Sequence, residues 1–326
     1  MRILMISLDE NILNKDSIVT RRMIEYGKED ELFIIIPSRE GEVFDLSSTV
    51  HIQSTGGNKL QQFCRLKKIG KKLIKEKNIE EITTQDPFFT GLVGWCLKRK
   101  FKIKLEVQVH GDFFGGYYKN QWFKLCMAKF ILRHADKIRV AGERIKQSLL
   151  SLSVAESKII VRSIQNDPEL IRHLSLVFEI DLRSKYPGYA KIFLILGRLD
   201  PVKNIPWLIE IFKKVIKQKN YLLLIVGRGE EEQKIRSQVI SNNLDDNIKL
   251  QNWTEDPYGY LKTADCVLFP SLSEGYGLVA MEAAAVGMPV IMTDVGVANY
   301  ELKPGSKVTI VPVGDKDKFV EAMLKI

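Results

Sequence analysis

The sequence predicts an α/β protein made of two doubly wound parallel sheets that face each other across a cleft. Three observations predict it. Short β-branched runs alternate with amphipathic helical stretches along the whole chain, which is the mark of successive βα units. Runs such as Leu222-Leu223-Leu224-Ile225-Val226 are apolar on both faces, as strands covered by helices on both sides must be. A chain of 326 residues also has room for two cores at roughly 150 residues each.

In the first half, strands are expected at 2–7, 32–37, 81–84, 103–109 and 137–140, with helices near 18–28, 59–77, 89–99 and 121–134. The polar, turn-rich stretch Ser163-Ile164-Gln165-Asn166-Asp167-Pro168 breaks this pattern, and Lys185-Tyr186-Pro187-Gly188-Tyr189 leads into a new buried strand. The expected organisation is therefore a first domain at 1–165, a linker at 166–190 and a second domain at 191–326. In the second domain strands are expected at 192–196, 221–226, 247–251, 266–269 and 290–293. Its helices fall near 204–218, 230–242, 257–263, 277–287 and 315–325. Ligands of doubly wound sheets bind at the carboxyl ends of the strands, so the residues that follow each strand are the ones to weigh.

Composition narrows the function classes. With 45% apolar and 27% charged residues the chain is neither disordered nor fibrous. Its apolar runs are strand-length, far below the ~20 residues of a membrane helix. The start, Met1-Arg2-Ile3-Leu4-Met5-Ile6-Ser7, lacks the pattern of a secretory leader. Cys64, Cys96, Cys126 and Cys266 are scattered, without the spacing of a metal site or a disulfide framework, so a reducing, cytoplasmic setting is expected. Charge is unevenly spread: residues 1–165 hold 29 Lys and Arg against 19 Asp and Glu, whereas 166–326 hold 20 against 21. An anionic partner for the first half is one reading of that excess.

Four stretches carry the chemistry. After the strand at 192–196 comes Gly197-Arg198-Leu199-Asp200-Pro201-Val202-Lys203-Asn204. A glycine there lets a ligand approach the backbone, and two cations just before a helix start suit a diphosphate. Val226-Gly227-Arg228-Gly229-Glu230 is a second strand-to-helix turn, which fits either ligand contact or close helix–sheet packing.

The third stretch, Pro270-Ser271-Leu272-Ser273-Glu274-Gly275-Tyr276-Gly277-Leu278-Val279-Ala280-Met281-Glu282-Ala283, is the most specific. Were all eight steps from Glu274 to Glu282 helical, the two carboxylates would stand ~12 Å apart along the axis, too far for a glycosidase pair. They suit two polar groups of one ligand better. Glu282 among alanines needs a partner, either a ligand hydroxyl or a buried Lys or Arg. The fourth stretch, His110-Gly111-Asp112-Phe113-Phe114-Gly115-Gly116-Tyr117-Tyr118, puts a histidine and aromatic rings at a strand end in the first domain. It fits a cleft-facing group, with rings for sugar stacking, and equally a satisfied polar residue.

The helix at 59–77 combines the stripe Leu60, Phe63, Leu66, Ile69 and Leu73 with Arg65, Lys67, Lys68, Lys71, Lys72, Lys75 and Lys77. A core-facing stripe with a solvated basic back explains it. Adsorption to an anionic membrane carrying a lipid-linked acceptor is the functional alternative.

Taken in order and spacing, Gly197-Arg198-Leu199 with Lys203-Asn204, Val226-Gly227-Arg228-Gly229, and Glu274 with Glu282 followed by Gly287-Met288-Pro289-Val290 resemble the retaining glycosyltransferases of family four. The resemblance spans nearly the whole chain and is strongest over 192–293. It implies two Rossmann-like domains in the GT-B architecture, and transfer of a sugar from a nucleotide diphosphate sugar to an acceptor hydroxyl with retention. It further implies that neither metal nor other cofactor is needed. Arg198 and Lys203 would hold the diphosphate, Glu282 the ribose, and Glu274 the donor sugar, with Gly275 to Leu278 offering backbone N–H groups. Gly197 and Gly227 would line the donor, Trp253-Thr254 would lie near the base, and His110 beside the reacting centre. The implied partners are the donor and a sugar, lipid-linked or other hydroxyl acceptor. An anionic membrane surface meeting the basic half would make the protein peripheral there; nucleic acid is not expected.

Three departures stand out. The loop Ser7-Leu8-Asp9-Glu10-Asn11-Ile12-Leu13-Asn14-Lys15-Asp16 lacks the glycines of many relatives. Val161-Arg162-Ser163-Ile164 stands where a proline-containing turn is frequent, and no residues after Ile326 supply the usual terminal crossover helix. Two other activities compete with the transferase: a nucleotide-sugar epimerase on the same fold, which would convert donor without acceptor, and a non-catalytic binding module for an anionic membrane or polymer.

Overall fold

The computed structural model describes residues 1–115, 117, 121–162, 180–254 and 256–326, and the chain divides into two packed units, chiefly 1–162 and 180–326. Through residue 161 the elements are β1 (Arg2–Ile6), α1 (Ile18–Tyr26), β2 (Glu31–Ile36), β3 (Val43–Ser47), β4 (Val50–Ser54), α2 (Lys59–Lys77), β5 (Glu81–Thr84), α3 (Phe89–Phe101), β6 (Lys104–Val109), α4 (Trp122–His134), β7 (Lys137–Val140), α5 (Glu143–Ser151) and β8 (Ile159–Val161). The strands form one sheet in the order β3-β4-β2-β1-β5-β6-β7-β8. Its pairs are parallel except β3 with β4, an antiparallel edge hairpin whose register shifts between Asp45 and Ser47.

The fold class is the one the sequence predicts, with additions. The hairpin, α5 and β8 are not anticipated, because Val50-His51-Ile52-Gln53-Ser54 alternates in burial rather than being apolar on both faces. Helix α2 starts on a capping box: Asn58 Oδ1 accepts from the Gln61 N–H, and Gln61 Oε1 accepts from the Asn58 N–H. Of its stripe Leu66 is buried, Phe63, Ile69 and Leu73 are half-buried and Leu60 is exposed; Ile74, outside the stripe, is the helix's other buried large side chain. Lys68, Lys72 and Lys75 are exposed.

The second unit runs α6 (Leu182–Lys185), β9 (Lys191–Leu196), α7 (Ile205–Ile216), β10 (Tyr221–Val226), α8 (Glu232–Ser241), β11 (Ile248–Gln251), α9 (Pro257–Thr263), β12 (Cys266–Phe269), α10 (Leu278–Ala285), β13 (Val290–Thr293), β14 (Val308–Val311) and α11 (Lys316–Leu324). All strands are parallel, in the order β11-β10-β9-β12-β13-β14. Counted along the chain this is 3-2-1-4-5-6, the dinucleotide-fold order. Its core is aliphatic with Phe193, Phe212 and Phe319 fully buried.

Of the expected linker, residues 166–179 lie outside the described residues, as does the departure at Ser163-Ile164. The remainder is built into the second unit: Leu182 is fully buried, and Arg183 Nη2 meets both Asp265 oxygens at 2.5 and 2.6 Å. The second unit therefore begins upstream of 191, because this short helix buries its one apolar side chain there.

Candidate active site

In the second sheet the chain leaves β9 toward one edge and returns at β12 to build toward the other. Connections on the two sides diverge there, so the loops following β9 and β12 border a crevice at the carboxyl ends of the strands. The β9 loop turns through a short 3₁₀ segment, Pro201–Lys203, and reaches α7 through Asn204, whose φ of 57° is left-handed. The β12 loop ends at Gly277, with φ of 101°, which caps α10. An L side chain at that φ would be strained, so glycine is required for the chain to enter the helix here.

Lys203 and Glu274 meet across the crevice. Lys203 Nζ lies 2.6 Å from Glu274 Oε1, with side chains only 21% and 11% exposed. The same oxygen accepts the hydroxyl of buried Ser271 at 2.7 Å. The Leu272 N–H donates to the Val202 carbonyl at 2.8 Å, which ties the two loops together by backbone. A lysine has three protons to donate, so this pair leaves Nζ further donors for an anion.

Arg198 behaves differently. Its side chain is 75% exposed and its Nη1 lies 3.1 Å from Asp200 Oδ2 on the same loop. Gly197, at φ of 142°, has open space where a side chain would begin, so a ligand can come against the backbone. A Cβ on Gly227 would stand 1.8 Å from the Gly197 carbonyl oxygen, so glycine is required there for the close passage of the two loops. Trp253 is 48% exposed, and the Arg228 guanidinium sits 5.8 Å from its ring centroid.

Glu274 precedes α10, and neither it nor Gly275 is the helix cap. Leu278 is the first helical residue and Glu282 follows one turn on, half-buried. The Tyr258 hydroxyl, from α9, bonds to Glu282, a partner the sequence did not anticipate. Burial first, and then this carboxylate, hold the Tyr258 phenol above its usual range.

His110 belongs to the first unit, just after β6. Its Nε2 lies 2.9 Å from Gln108 Oε1. The residue keeps solvent access, yet the protein around the ring disfavours its charged form. Desolvation, and then the Arg139 charge, hold its pKa below the usual imidazole value.

The structure thus joins Lys203 to Glu274 directly, with Arg198 and Gly197 on the same loop. Ser271, Tyr258, Arg228 and Asp200 were not assigned roles from sequence. Ser271, three residues before Glu274, was the one legible by spacing; Tyr258 sits in an unremarkable helix and gave no signal.

The sequence profile of the glycosyl transferases group 1 family matches residues 179–326. That match lies on the second unit. One protein to which the chain is similar is the UDP-Gal:alpha-D-GlcNAc-diphosphoundecaprenol alpha-1,3-galactosyltransferase of Escherichia coli, 26% identical over 273 residues, covering 78% of this chain and 68% of that one. Two other curated relatives, glycosyltransferases of Methanocaldococcus jannaschii, are spanned over 55% and 60% of their length. Among solved structures, the sucrose-phosphate synthase of Thermosynechococcus elongatus superposes with a TM-score of 0.79 at 21% identity, covering 100% of this chain and 89% of that one. The HepE protein of Anabaena, in complex with UDP-glucose, gives 0.75 at 15% identity over 100% and 89%. At these identities the likeness shows the fold, which is the GT-B fold expected from the sequence.

Proposed function

We propose that this protein is a glycosyl transferase that moves a sugar from a nucleotide diphosphate sugar to an acceptor hydroxyl with retention of configuration, using its own cations in place of a metal and no further cofactor. The observation that carries the reading is the Lys203–Glu274 pair at the crevice of the second sheet, with Arg198 exposed on the same loop. A relative named for a UDP-Gal donor supports the nucleotide-sugar class.

In this reading Arg198 and the remaining Lys203 protons receive the diphosphate. As the bond from the anomeric carbon to the diphosphate oxygen breaks, negative charge grows on that oxygen, and fixed cations stabilise it without reorganising. Glu274, held by Lys203 and Ser271, contacts the sugar. Trp253, with Arg228 against its ring, takes the base, and Glu282 with Tyr258 takes the ribose. The acceptor hydroxyl attacks from the face the diphosphate leaves, and its proton passes to the departing diphosphate oxygen. The isomerising alternative gains no specific observation.

The acceptor side extends to an anionic membrane surface. Helix α4 presents Trp122 at 70% and Phe123 at 67% exposure, and Lys124, Lys129 and Arg133 are exposed beside them. Aromatic rings flanked by cations suit the interface of a charged bilayer. Among the described residues no helix is long and apolar enough to cross a membrane.

A thermal-shift screen against UDP-, GDP- and ADP-sugars tests the donor class. A true donor at about one hundred times its Kd stabilises by ~2.7 kcal/mol. Anomeric analysis of the product by NMR and turnover in excess chelator then test retention and metal independence. A melting temperature unmoved by every nucleotide sugar removes the reading, and conversion of donor without acceptor replaces it with the epimerase.

A further inference from the structure

Buried parallel strands normally carry aliphatic side chains, yet the middle of the first sheet carries a polar line. Strand register sets Thr83 of β5 beside Glu106 of β6, and Gln108 of β6 beside Arg139 of β7. His110 follows Gln108 by two residues. Thr83 and Gln108 are buried. The groups connect in one series. Arg139 Nη2 is 3.3 Å from Glu106 Oε1, and Thr83 Oγ1 is 3.0 Å from that same oxygen. Gln108 Nε2 is 2.9 Å from Thr83 Oγ1, and Gln108 Oε1 is 2.9 Å from His110 Nε2.

The direction of each bond is dictated from the arginine end. A guanidinium only donates and a carboxylate only accepts. Glu106 therefore takes the single hydroxyl proton of Thr83. Having given its proton, Thr83 can only accept from Gln108, so the amide must turn its NH₂ to the threonine and its carbonyl to the ring. Facing a carbonyl oxygen, His110 Nε2 must carry a proton. We infer that Arg139, Glu106, Thr83 and Gln108 act as a relay of hydrogen-bond polarity that fixes His110 as the Nε2–H tautomer, with Nδ1 as the acceptor of the neutral ring.

These four are positioning residues, acting through His110. The consequence for chemistry rests on the donor reading given above. A neutral ring with a lone pair on Nδ1 accepts a hydrogen bond from a sugar hydroxyl and brings no charge of its own to a bound substrate. The depressed pKa of the ring agrees with the neutral form.

The test is a long-range proton–nitrogen NMR spectrum of the full chain with ¹⁵N-labelled histidine, recorded at alkaline pH. Among four histidines, the His110 signals are identified by their loss in His110→Gln. The expected result is a single Nε2–H pattern in the wild-type protein. An Nδ1–H pattern, or an even mixture, overturns the inference without any variant having to fold. Thr83→Val removes the hydroxyl and should turn the single pattern into a mixture, whereas Thr83→Ser keeps it. Glu106→Gln, which can donate as well as accept, should release the tautomer by a separate route. A pattern left unchanged by both Thr83→Val and Glu106→Gln refutes the relay as its cause. None of these spectra involves a nucleotide sugar, so the relay and the donor reading fail independently.

Discussion

Arg198 and Lys203 leave one loop but answer to different neighbours, and this separates their predicted behaviour. Arg198→Ala removes a solvent-facing guanidinium, so turnover should fall ~100-fold or more with little change in melting temperature. Lys203→Ala also strips the cation from the largely buried Glu274, and should cost about 2–3 kcal/mol of stability in urea titration besides activity. Equal stability of the two variants would contradict the pairing. At His110 the folded pKa lies below the unfolded 6.5, so the unfolded chain binds more protons between the two values. That contribution is fully present above pH 6.5 and is lost as pH falls through the folded pKa. Thermal melts from pH 8 to pH 5 should therefore show His110→Gln losing less stability on acidification than the wild type. The sequence made Lys203, Glu274 and Arg198 visible as candidates by their place after strands. It could not reveal that Lys203 pairs with Glu274, because 71 residues separate them and only the adjacency of β9 and β12 brings them together. Tyr258 stayed hidden for the same reason.

At the scale of elements, the β9 and β10 loops are fastened by the Leu199 N–H donating to the Arg228 carbonyl at 2.9 Å and by the bare approach of Gly227 to Gly197. Gly227→Ala forces backbone against backbone, and should lower stability by about 1–3 kcal/mol and donor affinity with it. An alanine variant that melts like the wild type would show that the loops part freely. Legibility varied with burial. Strands apolar on both faces, such as β9 and β10, could be read directly, as could the long helices. Edge pieces could not: β3 and β14 are half-exposed, and α5 is a short helix held by Ile145 and Leu149. Their patterns resemble loops until a neighbouring strand is known.

For the molecule as a whole, the basic excess of residues 1–165 and the exposed aromatic pair on α4 lie in the same part of the chain. Binding to vesicles containing anionic lipid should weaken as ionic strength rises past 0.15 M, where the screening length is only ~8 Å. Trp122→Ser combined with Phe123→Ser should reduce that binding while leaving stability in place, since both side chains are exposed. Neutral vesicles provide the control, and equal binding to both lipid types would remove the charged-bilayer reading. The same half has a different safeguard in its outermost strand. Beside Asp45 the main chain of β3 falls out of step with its neighbour, so a foreign strand seeking to lengthen the sheet meets misaligned amide groups and an unwelcoming carboxylate. Growth into fibrils from that border is thereby discouraged, and the protein can be concentrated with one less route to aggregation.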